Sequence, residues 1–115
     1  MKIVKDTIEI TELRQMLEGG FFVDVVKAVV DLEKEIMAVD AQMHADLMNE
    51  LIKTEHSNHQ NLWGVNLFPG MSAEKFIVFT SLINIKPSLG YKSVDIKDQN
   101  LQEKIRNVIN KLVQR

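Results

Sequence analysis

His44-Ala45-Asp46 stands where an extended pattern gives way to a helical one, and it is the first pairing in the chain able to do chemistry. An imidazole and a carboxylate two residues apart can serve as a base and its orienter, or can share a divalent cation. The plainer account makes Asp46 a helix cap and packs His44 at the helix start, and it is the favoured one. His56 and His59 lie three residues apart in a stretch without apolar residues. Zinc needs a third ligand on a rigid support, so no metal is expected there. Asn84, Lys86 and Ser88 flank Pro87 close to Gly90. A lysine with amide and hydroxyl donors at a strand end can hold a carboxylate or phosphate, and Asn66 on a neighbouring strand would join them. Ser81 has no Gly-x-Ser-x-Gly elbow around it and reads as a core hydroxyl. Trp63 reads as the largest core residue.

These residues need a scaffold, and the composition says what kind. The chain has 115 residues, 45% of them apolar and 26% charged. That is the size and balance of one folded domain over residues 1–115, and disorder would need fewer apolar residues and more net charge. Fourteen basic residues against 16 acidic ones leave a net charge of −2, so no nucleic-acid partner is indicated. With no cysteine, disulfides, zinc–thiolate sites, iron–sulfur clusters and cysteine nucleophiles are excluded. No motif asks for a cofactor. A charge interrupts the first residues before the apolar core of a leader could form, and no run approaches the ~18 apolar residues of a membrane span. The expected location is the cytoplasm.

Periodicity then places the elements. Residues 2–5 alternate as a short strand. Thr11 can cap a short helix carrying Leu13, Met16 and Leu17, which Gly19-Gly20 ends. Val25–Leu32 and Ile36–Val39 make a hairpin around Glu33-Lys34-Glu35. The hairpin is favoured over one long helix because valine crowds χ1 in a helix. Leu47, Met48, Leu51 and Ile52 form one stripe of a second helix. Leu62–Phe68 reads as a strand stopped by Pro69-Gly70, and Phe76–Lys86 as the longest strand, closed by Pro87. Asp98 caps a final helix with Leu101, Ile105, Val108, Ile109 and Leu112 on one face. The order strand, helix, hairpin, helix, hairpin, helix predicts an α+β fold. It has an antiparallel or mixed sheet of about four to five strands, with three helices covering one face.

Alternation along the predicted long strand puts Ile77, Phe79, Ser81, Ile83 and Ile85 on one side. Phe76, Val78, Thr80, Leu82, Asn84 and Lys86 fall on the other. The sheet thus has one apolar face and one mixed face able to gather Asp31, Asp40, Asn66, Thr80, Asn84 and Lys86. Phe68, Phe76, Val78 and Leu82 on that mixed face are costly to leave in water. Association into a homo-oligomer, a dimer first, is therefore the leading expectation, ahead of simple solvation and of a site for a small anionic ligand.

Leu62-Trp63-Gly64-Val65-Asn66-Leu67-Phe68-Pro69 and Ser81-Leu82-Ile83-Asn84-Ile85-Lys86-Pro87-Ser88 are distinctive segments. Together with Val29-Val30-Asp31-Leu32-Glu33 and His44-Ala45-Asp46, they resemble the bacterial family catalogued as domain of unknown function 5674. The resemblance runs over nearly the whole chain. It departs at Lys86, where arginine is expected, and at Tyr91, where asparagine is expected. Arginine grips an oxyanion with a bidentate fork and lysine cannot. The resemblance implies a small bacterial protein and carries no activity with it; it makes His44, Asp46, Asn66, Asn84 and Lys86 the residues to test. The favoured function is a non-catalytic, self-associating binding or interaction module. The alternative is a small hydrolase or lyase acting on an anionic metabolite, with His44 as base, Asp46 as orienter and Asn84 with Lys86 as anion clamp. That alternative requires His44 and Lys86 to lie within about one ligand's length of each other.

Overall fold

Branched side chains fit a pleated sheet better than a helix, and the densest run of them builds the centre of the molecule. The computed structural model describes residues 1–115. In it Val26–Asp31 forms β3, with β4 (Ile36–Val39) on one side and β5 (Leu62–Leu67) on the other. β1 (Lys2–Val4) extends the sheet beyond β4, and β6 (Ile77–Val78) beyond β5. The five strands run in the order β1-β4-β3-β5-β6 with every pair antiparallel. The β3–β4 hairpin turns without an Asn-Gly pair. Asp31 Oδ1 instead accepts from the Glu33 and Lys34 N–H groups at 2.9 and 3.0 Å, an aspartate-closed turn, and Glu35 takes the left-handed φ of 54°.

Three helices complete the α+β fold: α1 (Ile10–Gln15), α2 (His44–Glu55) and α3 (Gln99–Leu112). α3 starts at Asp98, whose side chain accepts from the Asn100 and Leu101 N–H groups, as its sequence predicts. α1 begins one residue before Thr11, and no side chain caps it. A feature with no sequence signature joins distant parts of the chain: β2 (Ile8–Glu9) pairs in parallel with β7 (Val113–Gln114), which follows α3 directly.

Strand alternation sends Ala28, Val30, Met37, Val39, Trp63, Val65 and Leu67 to one face, where they pack with Leu13 of α1 and Ile105, Ile109 and Leu112 of α3. It sends Val29, Ile36, Ala38 and Leu62 to the other face, under Leu47 and Leu51 of α2. Helices therefore cover both faces, which corrects the expectation of a mixed face left open. The apolar stripe of α2 needs a partner of its own, and the second face supplies it.

The predicted long strand over Phe76–Lys86 is also corrected. Only Ile77–Val78 pairs with β5; Leu82–Asn84 and Pro87–Leu89 wind into single turns of 3₁₀ helix. Local bonds win over the ladder here. Ser81 Oγ accepts from the Ile83 N–H at 3.3 Å, and the Asn84 N–H donates to the Ser81 carbonyl. The predicted alternation fails with the strand: Phe76 is buried in the core at 1% exposure, while Leu82 is 75% exposed. No helix is long and apolar enough to cross a membrane.

Candidate functional site

Lys27 of β3 and Asn66 of β5 are direct partners across the antiparallel ladder, so their side chains leave the same face side by side. This is the face that α2 covers. His44 opens α2 beside them and is buried. Its Nε2 lies 2.8 Å from the Val65 carbonyl and, taken as the protonated nitrogen, donates to it. The Asn66 Nδ2 donates to the Thr80 carbonyl at 3.0 Å, which ties the segment after β6 to the sheet. Thr80 Oγ1 in turn donates to Asp95 Oδ1 at 2.6 Å.

Lys27, His44, Asn66, Thr80 and Ser81 form the polar part of the wall around a cavity of about 330 Å³. Met43, Ala45, Leu82, Ile83 and Val94 form the apolar part. No acidic residue lines it. The Lys27 ammonium makes no ion pair; it lies 5.2 Å from the centre of the Phe22 ring. Burial pushes the His44 imidazole below its ordinary pKa. The bond to Val65 works against that shift, and the nearby Lys27 charge adds to it. Desolvation and a like charge both disfavour the imidazolium, so the site holds one full positive charge beside a neutral ring. Met43, the residue that caps α2, offers no side-chain acceptor to the helix. The positive end of the helix thus borders the same cavity.

Asp46 lies elsewhere. Two positions along a helix turn a side chain by about 200°. Asp46 is accordingly exposed and lines a separate open depression of about 430 Å³ with Asp40, Asn49, Glu50 and Lys53. It is not the N-cap of α2, which is Met43. No hydrogen bond joins it to His44, so the base-and-orienter pair is not assembled.

Asn84 is buried to 1% exposure, and both ends of its carboxamide are occupied. Its Oδ1 accepts from the Gly64 N–H at 2.8 Å, and its Nδ2 donates to the Gly64 carbonyl at 2.9 Å and the Val94 carbonyl at 3.3 Å. The side chain replaces the strand that β6 does not continue.

Lys86 is equally interior, at 4% exposure. Its Nζ donates to the His59 and Ile83 carbonyls at 3.1 and 3.2 Å and lies 5.0 Å from the centre of the Trp63 ring. Burial lowers its pKa. Lys86 borders a small cavity of about 150 Å³ with Ser88, which is exposed, and His59. His44 and Lys86 line different cavities, and Trp63, against which Lys86 rests, belongs to the core under α3. The structure therefore brings His44 and Asn66 together and leaves Asp46, Asn84, Lys86 and Ser88 apart from them.

Sequence reasoning passed over Lys27 and set Ser81 aside as a core hydroxyl. Ser81 is buried, but it also forms part of the cavity wall. Lys27 carries no motif; the signal that would find it is its register opposite Asn66, which needs the β3–β5 pairing.

No curated protein and no solved structure matches the chain. The family model described as "Protein of unknown function (DUF5674)" matches residues 2–112 of the 115. Nearly the whole chain is covered, and it belongs to that family.

Proposed function

We propose that the protein is a non-catalytic binding module that holds a small anionic ligand in the cavity between β3, β5 and the start of α2. The observation that carries this reading is Lys27, a half-buried lysine with no carboxylate partner at a cavity without acids. The uncapped start of α2 adds backbone donors and positive potential on the same side. Catalysis has less support. His44 is turned to a backbone carbonyl, Asp46 is directed elsewhere, and Ser81 Oγ is engaged with the Ile83 N–H. A ¹H–¹⁵N titration of the protein with acetate tests the reading. Amide shifts centred on Lys27, Ala45 and Ser81, lost in Lys27→Met, are expected; unmoved amides at these positions would end it.

A second reading, self-association, draws on a different observation. Val78, Leu82, Ile85 and Leu89 are 41%, 75%, 39% and 44% exposed within one short segment. Clustered apolar exposure of this kind marks contact surfaces. Native mass spectrometry should then show a dimer that Leu82→Ser disperses. A monomer at micromolar concentration would remove this reading and leave the first untouched.

A further inference from the structure

The polar and apolar halves of the cavity wall are too different to suit a bare inorganic ion. We infer that the ligand class is an amphipathic monocarboxylate, with its single carboxylate on Lys27 and its hydrocarbon body against Met43, Leu82 and Ile83. This rests on the anion-site reading above and narrows it.

Charge is the first argument. Lys27 is the only charged side chain in the wall, and the buried His44 beside it is biased to the neutral ring. One cation matches one anion. A phosphate dianion or a dicarboxylate would bring a second negative charge into a partly dehydrated place with nothing to pair it. Nor does any arginine present the planar fork that phosphate sites exploit.

Shape is the second. Half of the ten lining residues are hydrophobic, and two of these stand in water with nothing over them: Leu82 at 75% and Met43 at 56% exposure. A ligand with an apolar body would cover them, whereas a small hydrophilic anion would leave them wet. The size agrees. A cavity of about 330 Å³ lies at the small end of the range of small-molecule sites, ~300–1,000 Å³. A short straight-chain carboxylate such as octanoate suits a site of this kind. A neutral amphiphile would satisfy the apolar wall but leave the Lys27 ammonium desolvated and unpaired.

The test uses the full chain and three probes in separate ¹H–¹⁵N titrations: octanoate, inorganic phosphate and 1-octanol. Octanoate should saturate shifts at Lys27, Ala45 and Leu82, while phosphate and octanol need at least about tenfold higher concentration, the equivalent of 1.4 kcal/mol. Lys27→Met should weaken octanoate about tenfold and leave octanol unchanged. Leu82→Ser, at an exposed position that the fold does not need, should weaken octanoate and octanol alike; it carries the test if Lys27→Met fails to fold. Phosphate saturating the same amides at equal or lower concentration would overturn the ligand class and leave the anion site standing. Octanol matching octanoate would overturn the carboxylate. If no probe moves these amides, both the class and the site beneath it fall.

Discussion

Asn84 shows how one side chain can replace a strand. β6 leaves the ladder after two residues, and the backbone groups of Gly64 would otherwise face a gap in the interior. The Asn84 carboxamide matches a peptide group in donor and acceptor, so it closes the ladder there. Buried polar groups left without partners cost about 1–3 kcal/mol each. Asn84→Ala should therefore lower the unfolding free energy by about 3 kcal/mol, read from the urea midpoint at constant slope. Gly64 depends on the same packing from the other side. A Cβ there would sit 2.5 Å from Ser81 Oγ and 2.6 Å from Ser81 Cβ, and Ser81 is itself buried. Gly64→Ala should cost about 1–3 kcal/mol by overpacking in the same assay. The sequence shows Asn84 as a polar residue near a proline, a pattern that fits a ligand site as readily as a backbone surrogate. Only the position of Gly64 opposite it decides between the two.

At the scale of elements, α2 and α3 were both legible because an amphipathic stripe needs no knowledge of its partner. What each helix lies on was not legible. Ile105 of α3 and Leu51 of α2 are both fully buried, but in separate apolar clusters on opposite faces of the sheet. Ile105→Ala and Leu51→Ala should each cost about 2–5 kcal/mol. Because the two clusters share β3, β4 and β5, fluorescence of Trp63 and far-ultraviolet circular dichroism should report one coincident transition in each variant. Transitions that separate in the Leu51→Ala protein would show that the α2 layer unfolds by itself. The segment from Phe76 to Lys86 misled for a physical reason. It is rich in strand-forming residues, yet its serine and asparagine offer the backbone local bonds that compete with pairing.

Whole-molecule stability should carry the mark of two histidines, the buried His44 and the exposed His59. Burial lowers the pKa of His44, and burial with the Lys86 charge lowers that of His59. An unfolded histidine titrates near 6.5. Below that pH the unfolded chain binds protons that the native protein refuses, so these groups make stability fall as pH drops from about 6.5 towards the lower native values. Above that window both states are neutral, and these groups add no slope. Urea unfolding between about pH 5 and pH 8 should show the decline, and His44→Gln should flatten part of it. A decline unchanged in that variant would assign the effect to other groups.

Composition and periodicity determined the fold class, the β3–β4 hairpin and the Asp98-capped last helix, while a few distinctive segments carried the family resemblance. Each of these depends on residues near one another in the chain, where local sterics and burial act directly. Tertiary structure alone decided that α2 covers the second sheet face, that β2 pairs with β7, and that Asn84 and Lys86 are interior while Lys27 borders the cavity. A side chain's role at such positions follows from neighbours far along the chain. The same lysine can be an interior donor to carbonyls, like Lys86, or an unpaired cation at a cavity, like Lys27. The β3–β5 register and the early end of β6 make that difference.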